Sequence, residues 1–419
     1  LSEREVLFGE LRSLLQRAPE PQTWGALCAL LERWPDDGSL AEQALPYCEA
    51  QLRGWEDSWR VAPRRWIARV LSGDKLPALA LARRLRVHVQ LTDRDKMQRL
   101  IEHPALGHIT QLDLAGTSLH EHMVGPLMER LAEHNRLRAL DLSDNDVLGA
   151  LDAWLQDEPD KPPLERLSLA NVTRATSNNA QPMALPLVRL ARAPLVRGLR
   201  HLDLSRNPLG VGGSAGLDAL VEVADAAPVL ESLWLEHCEG HHGLPCMHIF
   251  ALSGWEALRH LSLRGNLFLH GGAHVLREAP AVLGRLKTLE LGECRIDDAT
   301  LDTLFEPLTE GHSWGLTALD LSDNPLTDQA VERLLALPWV GQLRLLNLSA
   351  TQLTDAGALA LITSPRLHPS ARVVLNGNGF NEVTLAAIAA SAAVRAELDE
   401  VGARWCAAAL DPDDPWWMA

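Results

Sequence analysis

Residues 316–337 read LTALDLSDNPLTDQAVERLLAL, and the spacing of their apolar residues changes partway along. Leu319 and Leu321 alternate with Ala318, Asp320 and Ser322, the period-two pattern of a short strand with one buried face. From Thr327 onward the period becomes helical: Val331, Leu334 and Leu335 share a face, and Thr327 is placed to cap the helix start. One strand and one helix of this size cannot bury their own leucines. Stacked copies can, by sharing a core between a strand layer and a helix layer, so the pattern predicts a solenoid with a long parallel sheet.

The unit recurs. LRALDLSDN begins at Leu137, LRHLDLSRN at Leu199, LRHLSLRGN at Leu258 and LRLLNLSAT at Leu343. Weaker copies begin at Ile109, Leu164, Leu230, Leu286 and Ser370, which makes ten copies spaced 27 to 35 residues apart. With this period and a full helix per copy, residues 85–400 resemble the leucine-rich-repeat proteins, in particular the ribonuclease-inhibitor-like subclass. The resemblance implies an α/β fold, a curved parallel sheet lining a concave face with helices on the convex side. It also implies binding of another macromolecule through the concave face and its rim, and an inward-pointing Asn at the end of each L-x-x-L-x-L-x-x-N string. No cofactor is expected. Cys238 and Cys294 stand in that Asn slot and are read as buried scaffold.

Residues 1–84 differ in kind. They carry Trp24, Trp34, Trp55, Trp59 and Trp66 and read as short helices, the first opened by the capping box Ser2-Glu3-Arg4-Glu5. This part weakly resembles the helical companion domain that precedes leucine-rich repeats in some bacterial proteins, and its tryptophans are read as packing that caps the first repeat. The division is therefore a helical domain over 1–84, a solenoid over 85–381 with a weak first capping repeat, and a helical cap and tail over 382–419.

Charge narrows the partner. The net charge is −16, and residues 89–419 hold 26 Lys and Arg against 43 Asp and Glu. Such a surface repels phosphate backbones and steers a basic protein inward, so the reading is a basic protein partner, no nucleic acid and no membrane. The six cysteines are scattered, with no CxxC pair, which predicts a reducing, cytoplasmic setting. No segment of the sequence has the roughly 20 apolar residues of a membrane span, and nothing at the amino terminus predicts export.

The search for catalytic signatures yields no Walker loop, GxSxG or HExxH, so the chain reads as a non-enzymatic binding scaffold. Two alternatives stand beside this one. His237, His241, His242, Cys246 and His248 crowd the stretch EHCEGHHGLPCMHIF and raise a metal site or enzyme; some proteins of the repeat subclass regulate small GTPases.

For a partner site, the column between the two strand leucines runs Asp113, Asp141, Ser168, Asp203, Trp234, Ser262, Glu290, Asp320, Asn347 and Val374. Trp234 stands out as a large aromatic on the concave face, where solvent or a partner must cover it. The repeat sets beside it His201, Asp203 and Arg206 on one strand and His260 and Arg264 on the other, with Glu236, His237, His241 and His242 overhead. Insertions at 172–184 and 241–250 are expected on the same rim. The Asp row itself, recurring as LDLS, is read as structural convention.

Overall fold

The computed structural model describes residues 3–35, 37–156, 163–172, 184–209, 215–238, 255–267, 273, 276, 279–306, 314–391 and 395–397. The chain divides into two compact units, residues 1–174 and 175–419. The first opens with helices Glu3–Leu15, Pro21–Glu32, Leu45–Gln51 and Arg64–Leu71. It continues with strands β1 Arg84–Arg86, β2 Gln111–Asp113, β3 Ala139–Asp141 and β4 Arg166–Ser168, separated by helices. The second holds β5 His201–Asp203, β6 Ser232–Trp234, β7 His260–Ser262, β8 Thr288–Glu290, β9 Ala318–Asp320, β10 Leu345–Asn347, β11 Arg372–Val374 and β12 Arg395–Glu397. Within each unit the strands are parallel neighbours in chain order. Leucine faces leucine across the ladder, as in Leu261↔Leu289↔Leu319↔Leu346, and these side chains are fully buried.

The opening stretch folds as its periods dictate. Thr327 caps the helix Asp328–Ala336 by accepting from the Gln329 N–H at 3.2 Å, while Val331 and Leu334 are buried and Leu335 is half-buried. Beyond each strand the Asn slot points inward. Asn324 Nδ2 donates to the carbonyls of Leu291, Leu321 and Ser322 at 2.8, 3.0 and 3.1 Å, and its Oδ1 accepts from the N–H groups of Cys294 and Ile296. Asn145, Asn207, Asn266 and Asn378 hold their own turns in the same way. Cys238 and Cys294 occupy this row as read: each is completely buried, with Sγ against two carbonyls, for Cys294 those of Leu263 and Gly292 at 3.3 Å.

A second row of polar bonds joins helix starts. Asp298 accepts from the Thr327 N–H and hydroxyl, Asp328 from those of Thr354, and Asp355 from the Asn381 N–H and side-chain amide. Gly357 makes room for this: a Cβ there would lie 2.2 Å from Asp328 Oδ1.

In the first unit Trp24, Trp34, Trp55 and Trp66 are buried in the helical segment, and Trp24 Nε1 donates to the Val61 carbonyl at 2.7 Å. Val61 bridges to Arg84, so this segment covers the edge of β1 that would otherwise be left open. The Ser2 cap lies outside the described residues.

The carboxyl-terminal helix reading needs correction. Glu382–Ala390 is a helix, but Arg395–Glu397, read from its alanines as more helix, is strand β12 paired to β11. Helix propensity in this short run is worth tenths of a kcal/mol per residue and yields to the hydrogen bonds that β11 offers.

Replacing Asn324 by Ala strands three carbonyls and two N–H groups in the core. It should cost about 3 kcal/mol, while Asn324→Cys, which retains the contact found at 238 and 294, should cost clearly less. Urea denaturation of the two variants checks the order.

Candidate functional site

The sheet face turned away from the helices carries the column that begins as an Asp row. Those acids are largely spoken for. Asp113, Asp141, Asp203 and Asp320 each accept, through Oδ1, the N–H two residues on, at 2.8 to 3.0 Å. Asn347 does the same with Ser349. The carboxylates thus close the turn after each strand, as the recurrence of LDLS suggests.

Three consecutive strands of the second unit break the row, with Trp234, Ser262 and Glu290. Trp234 is 2% exposed, its ring 4.7 Å from that of His260 and tilted by 42°. His260 is itself buried and its Nδ1 is hydrogen-bonded to the Thr288 hydroxyl. Ser262 Oγ donates to Glu236 Oε1 at 2.9 Å. Glu290 is fully buried, and among the described residues its Oε1 has no hydrogen-bond partner. Burial first, then the nearby Glu236 and Asp320 charges, push its pKa up to about 8; the Ser262 hydroxyl and Arg264 act the other way.

Just past these strands Arg264 reaches sideways. Its guanidinium meets Asp320 at 3.3 Å, Ser322 Oγ at 3.0 Å, Asp323 at 2.9 Å and Glu293, so it crosses β8 entirely. Gly292 is what lets it pass. A Cβ at that position would sit 2.4 Å from Arg264 Nη1 and 2.9 Å from Ser322 Oγ. The same device operates one strand earlier and one residue further on: His237 lies over Gly265, where a Cβ would fall 2.0 Å from Nδ1, and its Nε2 comes within 4.0 Å of Glu293. Burial works against the Arg264 charge, but the surrounding carboxylates outweigh it and raise its pKa, so the side chain stays a cation.

Arg206, His237, Glu293 and Asp323 form an exposed row along the ends of β5, β6, β8 and β9, and all four have left-handed backbone, with φ between 49° and 59°. In the same left-handed slot other repeats carry Gly116, Gly265 and Gly377, and also Asp144, Asn171 and Ala350.

Of the residues read from sequence, the ladder sets His201, Asp203, Trp234 and His260 on three adjacent strands, with Asp203 opposite Trp234 and Trp234 opposite Ser262. One detail is corrected. Trp234 is not a solvent-facing aromatic: it is buried, with the His260 ring against it. Arg264 runs away from it, toward Glu293, Asp320 and Asp323. Arg206 and His237 are exposed, and His201, Glu236 and Arg264 half-buried. His241 and His242 lie outside the described residues, as do Cys246, His248 and nearly all of the 172–184 insertion. Glu290, Glu293, Asp320 and Asp323 were missed as a group. The signal for them was an Arg in the Ser slot of LRGN beside a Gly in the Ser slot of LGEC.

Among the described residues no group of three or more His, Cys, Asp or Glu is arranged to hold a metal ion. In the first unit a polar cleft of about 860 Å³ is lined by His120, His122, Glu121, Asp144 and Asp146, with the two imidazoles 5.3 Å apart. No described helix is long and apolar enough to cross a membrane.

The Leucine Rich repeat family profile matches residues 316–335. The ribonuclease inhibitor of Sus scrofa is 34% identical over 54% of this chain and 48% of its own length. The Tonsoku-like protein of Bos taurus is 28% identical over 75% of this chain and 23% of its own. The chain therefore spans half or less of the length of these relatives. Among solved structures, a TLR13-ssRNA13 complex shares 18% identity with a TM-score of 0.44, covering 77% of this chain and 46% of that one.

Two outcomes test this geometry. Unfolded, Glu290 titrates near the ordinary value of about 4.3; folded, it does so at about 8. Between these values the native state holds a proton that the unfolded chain has lost. The stability of the neutral carboxyl is thus full at low pH and drains away as pH rises toward 8. Glu290→Gln should flatten that decline and be the more stable protein at pH 8, by on the order of a few kcal/mol, as melting curves from pH 6 to 9 would report. Gly292→Ala should lower the melting temperature in wild type and lower it much less in an Arg264→Ala background, where only the movable Ser322 hydroxyl still lies close to the new Cβ.

Proposed function

We propose that this chain, a leucine-rich-repeat solenoid related to the ribonuclease-inhibitor-like and Tonsoku-like repeat proteins, is a non-enzymatic scaffold that binds a basic protein partner. The observation that carries this reading is the charged row at the strand ends of the second unit. A left-handed backbone costs an ordinary residue about 1 kcal/mol, and glycine serves the slot elsewhere in the same chain. Arg206, His237 and Glu293 accept that cost, and each thereby presents a long side chain at a fixed place on a rigid ladder.

The partner surface then comprises the exposed Arg206, His237, Glu293 and Asp323 with the half-buried Glu236 and Arg264. Trp234, Asp203 and His260 form the closed floor beneath, and His201 its edge. This keeps the sequence-derived patch but reverses the part Trp234 plays in it, from anchor to support. The balance of charge around Arg264 is acidic, which favours a cationic protein over a nucleic acid. The buried thiols of Cys28, Cys48, Cys238 and Cys294 are free, and burial lifts the pKa of each, to about 12 for Cys48 and Cys294. That fits residence in the cytoplasm.

The test is affinity capture from a native lysate of the source organism. Wild-type protein should retain a basic partner, and the double variant Glu293→Lys, Asp323→Lys should lose at least about tenfold of that affinity, the scale of a pair of well-placed interfacial charges. Retention unchanged by the double variant, with equal melting temperatures, would remove this surface from consideration.

A further inference from the structure

We propose that the stretch from the end of β6 to β9 forms a notch for a single arginine side chain of the basic partner, with Glu290 at its floor and Glu236 and Asp320 at its walls. This rests on the binding reading above and sharpens it.

The notch follows from the register. On the face turned away from the helices, Glu290 lies between Ser262 on β7 and Asp320 on β9; Thr288 and Gly292 flank it on its own strand, Ala318 and Ser322 at the β9 diagonals are small, and His260 and Arg264 stand at the β7 diagonals. Elsewhere on this face larger apolar side chains, Trp234 and Leu345, stand in such places. Five carboxyl groups, those of Glu236, Glu290, Glu293, Asp320 and Asp323, gather across four consecutive repeats, and Arg264 brings one guanidinium to them. Its two terminal nitrogens are taken up by Asp320, Ser322, Glu293 and Asp323. None of these bonds reaches Glu290, whose Oε1 is buried and unpartnered among the described residues. A buried acceptor without a donor is a standing cost, and a donor supplied from outside removes it.

The donor most suited is a guanidinium. Its planar fork can address carboxyl oxygens of Glu290 and Glu236 together, and it sheds water more readily than an ammonium. Arg264 lies over Gly292, next to Glu290 on the same face; an incoming arginine reaches the floor as Arg264 shifts outward onto Glu293 and Asp323, which it already touches. Glu290 enters the encounter neutral at pH 7, kept so by burial and by Glu236 and Asp320 against the opposing pull of Arg264 and the Ser262 hydroxyl. His260 and His237 are the other titratable groups nearby. Seating a cation against Glu290 favours its anion, so the proton passes to the solvent buffer. Arginine binding is thereby coupled to proton release.

The probes are an acetylated, amidated nonapeptide of glycine and serine with one central arginine, and the same peptide with citrulline, the neutral isostere, in its place. Calorimetry on the full chain at pH 7, in two buffers of different ionisation enthalpy, should show the arginine peptide binding at least about tenfold tighter, with release of up to one proton. Glu290→Gln should shrink that preference below about threefold and abolish the release; Glu236→Gln, at a half-exposed position, should weaken the preference without abolishing the release. The proposal falls if wild type binds the two peptides equally or neither at about millimolar concentration, or if Glu290→Gln keeps the full preference. A notch that fails here while the rim double variant still loses the captured partner leaves the scaffold reading intact. The converse result, peptide binding with proton release but no loss on rim reversal, overturns that reading alone.

Discussion

The side-chain amide of asparagine, donating twice or more to main-chain carbonyls, is the constraint on which the rest of this protein depends. After each short strand the chain must turn sharply, leaving carbonyls aimed into a core without water. Asn145, Asn324 and Asn378 each satisfy their own turn and the preceding one at once. Turn and stacking are therefore fixed by the same group. Where Cys238 and Cys294 replace it, Sγ still points at two carbonyls, a weaker contact held in place by asparagines on the next repeat: Asn266 accepts from the Cys238 N–H and Asn324 from that of Cys294.

That regularity is what lets the exceptions make a site. On a ladder with strands about 4.8 Å apart, a long side chain beside a missing one is free to lie sideways, and Arg264 over Gly292 and His237 over Gly265 do so. Each spans to an acid on a later repeat. The outcome is a knot of charge in which burial and mutual repulsion hold Glu290 protonated while Arg264 stays charged. Proton and cation thus sit within one cluster, each fixed by the same neighbours.

The fold was legible in the sequence because its determinants are periodic. Leu319 and Leu321, Asn324 and Thr327 each specify their own conformation, and their repetition specifies the stack. β12 escaped because Ala396 and its neighbours carry no strand signal of their own; their conformation is imposed by β11 alongside. At the site, alternation correctly put Trp234 on the face away from the helices, but alternation says which side a residue lies on, never what covers it. The Arg264 network was harder still. It joins residues up to 59 apart, and its enabling element is Gly292, which acts by having no side chain at all.

The bond between successive helix starts bears on how such a chain changes over evolutionary time. The repeats whose helices start at Thr327 and Thr354 each carry an acceptor for the next cap and a donor for the one before, as Asp328 and Thr327 show side by side. These joints are chemically alike, so excision or duplication of one of these repeats leaves matching ends, and the chain can lengthen or shorten there without inventing a new contact. The three repeats around Arg264 are exempt from that freedom. Their side chains name particular neighbours, and a duplication there would separate Arg264 from Asp320 and Asp323, so this block is inherited whole or not at all.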